Sequence, residues 1–139
     1  MNGRGGEGVK GREQDTANSP GASGDYSALF EPIMLGKQEI KNRIAFAPTG
    51  MGTADENGGV TDQVLCHYVA RAKGGAGLII IEHTMSNYRY GLAGSGAMGF
   101  HRNKNLAGMF DLAHAMEALD ATAVVQLSLG LGRESGVGP

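Results

Sequence analysis

Apolar and polar positions along the chain switch period several times after a start that has no period at all. Met1 to Gly24 is rich in glycine and scattered charge and almost free of apolar residues, so ordering it would cost entropy that burial cannot offset. It reads as a disordered leader, residues 1–27, with residues 28–139 as the folded part. Pro32 to Leu35 and Gln38 to Ile40 flank Gly36-Lys37, which predicts a small hairpin acting as a lid rather than as a sheet strand. Ile44 to Ala47 predicts the first fully buried strand, stopped by Pro48. Thr61 is a good N-cap, and Val64, Leu65, Tyr68, Val69 and Ala72 recur at helical spacing before Gly74. Leu78 to Ile81 is an unbroken apolar run suited to a strand covered on both faces. Asn103 predicts the cap of a second helix, Lys104 to Leu119, with Leu106, Met109, Phe110, Ala113, Met116 and Leu119 as its inner stripe. Ala123 to Leu127 follows as a third strand.

Strand, helix, strand, helix, strand is the order of two successive βαβ units. Right-handed crossovers and a parallel α/β sheet are expected. Each strand run finishes in a polar, Gly or Pro position, as expected where a binding site forms at the carboxyl ends of parallel strands.

Composition narrows the function classes. With 139 residues the chain can hold one domain, although 24 glycines, no tryptophan and 6% aromatic residues leave little bulk for its core. Lys and Arg total 12 against 14 acidic residues, for a net charge of −2. That mixed balance gives no electrostatic footprint for nucleic acid or a membrane surface. No apolar run near the amino terminus suits a signal peptide, and Glu7, Glu13 and Asp15 argue against a transit peptide. Cys66 is the one cysteine, so no intrachain disulfide can form; a reducing, cytoplasmic setting is expected. Cys66 and His67 adjoin on a helix and point apart, and His101 and His114 lack ligand spacing with them, which makes a zinc site improbable. Gly94 to Gly99 fits the dinucleotide fingerprint in letters only. It does not lie in a tight strand-to-helix turn, so it reads as flexible-loop glycine.

The segments Leu29-Phe-Glu-Pro32, Leu35-Gly36, Ile40-Lys-Asn-Arg-Ile44, Ala47-Pro48, Asp55-Glu-Asn-Gly58, Thr61-Asp62, Tyr68-Val-Ala-Arg-Ala72, Gly74-Gly-Ala-Gly-Leu-Ile-Ile80 and Gln126-Leu127 resemble, in order and spacing, the Old Yellow Enzyme family. These are the NADH:flavin oxidoreductases that include 2,4-dienoyl-CoA reductases and enoate reductases. The resemblance implies the N-terminal portion, about three βα units, of a TIM (β/α)8 barrel, truncated after its third strand. It implies an FMN-dependent enzyme in which hydride passes from NAD(P)H to FMN and then to the β-carbon of an electron-poor alkene or an enoyl or dienoyl thioester. In longer members an iron–sulfur cluster and FAD lie further downstream.

By the same resemblance Ala47, Pro48, Thr49, Gly50, His83 and Gln126 are the candidate cofactor-binding residues. Gln126 carries a donor and an acceptor side by side, which matches the hydrogen-bonding edge of the flavin pyrimidine; without the resemblance it reads as a polar strand end. Gly50 stands where well-known members carry Thr or Cys, and His83 where a small residue is expected. Glu82 matches a family glutamate; strand alternation turns it away from His83, and it receives no catalytic role. No catalytic proton donor is identifiable, and Arg133 reads as a solvated loop residue. A piece of this kind is expected to be inactive alone. The competing readings are a non-enzymatic α/β binding or assembly module, completed as a homo-oligomer, and a small flavodoxin-like fold. The latter is disfavoured because Pro48 to Thr61 lacks a Ser/Thr-rich phosphate loop.

Overall fold

The computed structural model describes residues 24–86 and 96–128. Residues 1–23 of the expected leader, Gly94 and Arg133 lie outside those residues. After a 3-10 turn at Ser27–Phe30, β1 (Ile33–Leu35) and β2 (Gln38–Ile40) pair antiparallel as a separate two-stranded sheet. Their two-residue loop starts at Gly36, whose φ of 63° is the positive value that the first position of such a turn requires. The predicted hairpin is therefore present.

The second sheet is wholly parallel and is organised around one strand. β4 (Leu78–Met85) pairs on one edge with β3 (Ala45–Phe46) near its start and with β5 (Met98–Gly99) near its end. Its other edge pairs along most of its length with β6 (Thr122–Ser128). Helices α1 (Asp62–Lys73) and α2 (Lys104–Glu117) form the crossovers. Thr61 caps α1, its Oγ accepting from the Val64 amide at 3.3 Å, and Gly74 ends it. Val64, Tyr68 and Ala72 from α1 meet Ile79 and Ile81 from β4, together with Met109, Leu112 and Met116 from α2, in one buried core. Fully burying each Val, Ile, Leu or Met of this set contributes about 1.5–3 kcal/mol.

Four sequence expectations are corrected. The first strand is not fully buried: β3 is two residues long, Ala45 and Ala47 are exposed, and only Phe46 reaches inward, because β3 is paired on a single edge. Phe46 packs edge-on to His67 and Tyr68, with the Arg71 guanidinium 5.2 Å from its ring centre. The inner stripe of α2 is Asn105, Met109, Leu112 and Met116, whereas Leu106 and Phe110 are 46% and 67% exposed. The helix carries two apolar rows, and the row that shares Leu112 is the one turned toward the core. Asn103 has helical backbone angles and makes no side-chain cap. Finally, Met98 and Gly99 of the supposed glycine loop form β5, which exists because β4 offers them a ladder.

The amino ends of the strands are closed by polar contacts to backbone. Asn42 is buried; its Nδ2 donates to the Gly75 carbonyl at 2.7 Å and its Oδ1 accepts from the Ile44 amide at 3.1 Å. A Cβ on Gly77 would stand 2.5 Å from that Oδ1, so the tight return from α1 to β4 needs glycine there. Lys41 donates to the Leu119 carbonyl at 2.8 Å and ties the hairpin to the start of β6. A cleft of about 480 Å³ opens at this end, lined by hairpin residues and by Asp120 to Ala123.

Candidate functional site

Because β3, β4 and β6 run parallel, the loop that follows Phe46 and the last residues of β4 and β6, from Glu82 and Gln126 onward, lie toward the same, carboxyl end of the sheet. The structure thus brings Pro48, His83 and Gln126 to one side of the molecule. Pro48 and His83 are half-buried there, while Ala47, Thr49, Gly50 and Gln126 are exposed. Thr49 turns back on its own loop, its hydroxyl donating to the Ala47 carbonyl at 3.3 Å.

A β-bulge shapes the centre of this end. Between Ile81 and Thr84, β4 advances by three residues while β6 advances from Val125 to Leu127, so Glu82 and His83 together oppose Gln126. The extra residue resets the alternation: Ile79 and Ile81 are buried before it, Glu82 and Thr84 after it. Glu82 and His83 consequently both reach the loop after β3. A Cβ built on Gly50 would stand 3.2 Å from His83 Cε1, 3.3 Å from its Nδ1 and 3.6 Å from Glu82 Oε2. The expectation that neighbouring residues must diverge fails here, since strict alternation holds only in an unbulged strand.

Glu82 is the residue that sequence reasoning undervalued. It is fully buried, and its Oε2 accepts from the Met51 amide at 2.7 Å. Its own amide donates to the Tyr68 hydroxyl at 2.8 Å, so the ladder bond displaced by the bulge is replaced by a helix side chain. The Thr84 hydroxyl donates to the Glu82 carbonyl at 2.9 Å and closes the bulge from the other side. Oε1 of Glu82 is buried with no hydrogen-bond partner among the described residues. Burial holds the Tyr68 phenol above its usual range, and the neighbouring Glu82 charge adds to that. The match to a family glutamate was visible in sequence; the bulge that aims it was not.

The rim is tied down on both flanks of β4. The Ser86 amide and hydroxyl both donate to the Ser128 carbonyl at 2.9 Å, and the Phe100 amide donates to the Met85 carbonyl at 2.8 Å. In the loop between β3 and α1, Asp55 Oδ1 accepts from the amides of Asn57 and Gly59 at 2.7 and 2.8 Å. The Gly59 amide in particular holds the Asp55 carboxyl below the usual carboxylate range. Asn105 Nδ2 donates to the carbonyls of Asn57 and Gly99, each at 2.9 Å, which fastens that loop to β5 and α2.

Cys66 is exposed, whereas the His67 ring packs against Phe46 and Tyr68. His114 lies 3.6 Å from Glu117 on the outer face of α2. Among the described residues no three His, Cys, Asp or Glu side chains are grouped to hold a metal ion, and no helix is long and apolar enough to cross a membrane.

The comparisons with known proteins agree on one family. The sequence profile of the NADH:flavin oxidoreductase / NADH oxidase family matches residues 28–137. An NADH oxidase of Thermoanaerobacter brockii is 35% identical over 102 residues, which cover 73% of this chain and 16% of that protein. An NADH:acrylate oxidoreductase of Vibrio harveyi is 38% identical over 89 residues, covering 64% of this chain and 9% of that protein. The chain therefore spans less than a fifth of either relative. Old Yellow Enzyme from Pichia sp. AKU4542 superposes with a TM-score of 0.71 at 29% identity, over 78% of this chain and 28% of that structure. The α/β units described here correspond to part of a TIM barrel of that type. With the family profile matched from residue 28, ahead of the hairpin, to residue 137 and its parallel units shared with Old Yellow Enzyme, the chain belongs to the NADH:flavin oxidoreductase / NADH oxidase family.

Proposed function

We propose that the protein carrying this chain is an FMN-dependent NAD(P)H oxidoreductase that reduces activated C=C bonds, and that the chain supplies one wall of its flavin site. The observation that carries this reading is the convergence of Pro48, Gly50, His83 and Gln126 at the carboxyl end of one parallel sheet. Their chemistry fits a flat heterocycle with an amide edge. Gly50 presents bare backbone, Pro48 a rigid ring, and Gln126 an exposed amide able to donate and accept at once. A flavin held there would supply the hydride chemistry between a nicotinamide and an electron-poor alkene.

The chain's own contribution is orientation and charge placement. Gln126 would hold the amide edge of the flavin, with Ala47, Pro48 and Thr49 supplying the neighbouring wall. His83 places an imidazole beside Gly50 and so puts a polar ring where the loop itself has no side chain. Preorganised dipoles of this kind act most strongly where water is excluded. The Vibrio harveyi relative is named for acrylate, a small alkene conjugated to a carboxylate, which supports an electron-poor alkene or its thioester as substrate class.

Purification with absorbance monitored across the visible range tests the proposal. The protein should elute with bound flavin, lose its yellow colour under anaerobic NADH or NADPH, and recover it on addition of an acrylate-type alkene. Elution without flavin after incubation with excess FMN would reject the assignment.

A further inference from the structure

The carboxylate of Glu82 is an expensive group to keep where it is. It is fully buried, and among the described residues one oxygen has a single backbone partner and the other has none. A buried acceptor without a partner carries a desolvation cost that an apolar side chain of similar size would not. Core filling therefore does not explain it. Its geometry does: Oε2 reaches across from β4 to the Met51 amide, the residue directly after Gly50, at 2.7 Å.

We infer that Glu82 is a positioning residue for the flavin site, holding the Pro48–Met51 loop in the path that leaves Gly50 against the His83 imidazole. The inference rests on the flavin reading above and adds a residue to it. Four elements act together. Tyr68 on α1 accepts the Glu82 amide and stabilises the bulge; the bulge turns the carboxylate under the loop; the carboxylate accepts the Met51 N–H; and the loop so held presents bare backbone to the imidazole. Thr84 closes the same bulge through the Glu82 carbonyl. Each link is a hydrogen bond or a close approach at the carboxyl end of the sheet, and none belongs to the contacts that close its amino end.

Two replacements of Glu82 separate positioning from packing. Glu82→Gln keeps an oxygen acceptor for Met51, whereas Glu82→Met keeps bulk and loses the acceptor. Glu82→Asp, which withdraws the carboxylate by one methylene, serves in place of the Met variant if that one does not fold. Each is examined in the FMN-loaded protein by FMN dissociation constant, flavin midpoint potential and exchange of the Met51 amide.

The Met or Asp variant should bind FMN about tenfold or more weakly, shift the potential and lose protection at Met51. The Gln variant should stay within about threefold of the parent in affinity. Equal affinity and potential in all variants, with the parent loaded normally, would overturn the positioning role and leave the flavin assignment intact. A parent protein that takes up no FMN would overturn both.

Discussion

The two ends of the parallel sheet are built on different principles. At the amino end, Asn42 uses both its donor and its acceptor on neighbouring backbone, Lys41 binds the Leu119 carbonyl, and Gly77 is glycine because Asn42 occupies the adjoining space. At the carboxyl end, a buried carboxylate keeps one oxygen without a partner among the described residues, the strand carries a bulge, and Gln126 is exposed. On the proposed flavin reading, the contrast separates residues that secure the fold from residues that would prepare a site, since parallel α/β folds place their chemistry at the carboxyl ends of the strands.

Substitutions at the two ends should therefore move different observables. The largest stability loss is expected for Gly77→Ala, whose Cβ would collide with Asn42. About 2–3 kcal/mol should be lost in denaturant unfolding, while flavin affinity per folded molecule stays unchanged. Tyr68→Phe keeps the ring in the core and removes the acceptor for the Glu82 amide. About 1–2 kcal/mol should be lost, together with a change in flavin affinity, since this residue links the core to the carboxyl end. Gln126→Ala should do the reverse of Gly77→Ala: unfolding free energy within about 0.5 kcal/mol of the parent, because the side chain is exposed, and FMN bound roughly tenfold more weakly. A Gln126→Ala protein with unaltered flavin affinity and potential would remove the strongest candidate from the site.

The smallest effect is a pH dependence. Burial, with Arg71 close by, holds the His67 pKa below its usual value. The unfolded chain then takes up a proton more readily than the folded one. Stability is full above about pH 6.5 and falls as the pH drops through that value, so replacing His67 with Gln should flatten the melting temperature between about pH 7 and 5.

Sequence made the larger elements legible because their signals are local. Thr61 and Gly74 bracket α1, Gly36 sets the hairpin, and the alternation of strands and helices specifies parallel pairing. What escaped depends on partners remote in sequence. The two-residue β5 is a strand only through β4, and the α2 face that turns inward is chosen by α1 and the sheet rather than by the helix itself. The same holds within the site. That Ala47 to Gly50, His83 and Gln126 lie toward the carboxyl ends of their strands could be read from their positions in the chain, although β4 and β6 run on to Met85 and Ser128; the approach of Glu82 to Met51 follows from one extra residue in β4. Alternation along a single strand carries no trace of that register shift.

Hydrogen exchange with and without FMN tests the functional difference between the two ends most directly. The account predicts new protection at residues 48–51, 82–84 and 126–128, with residues 42–44 and 75–77 unchanged. Protection confined to the Asn42 and Gly77 end would contradict it.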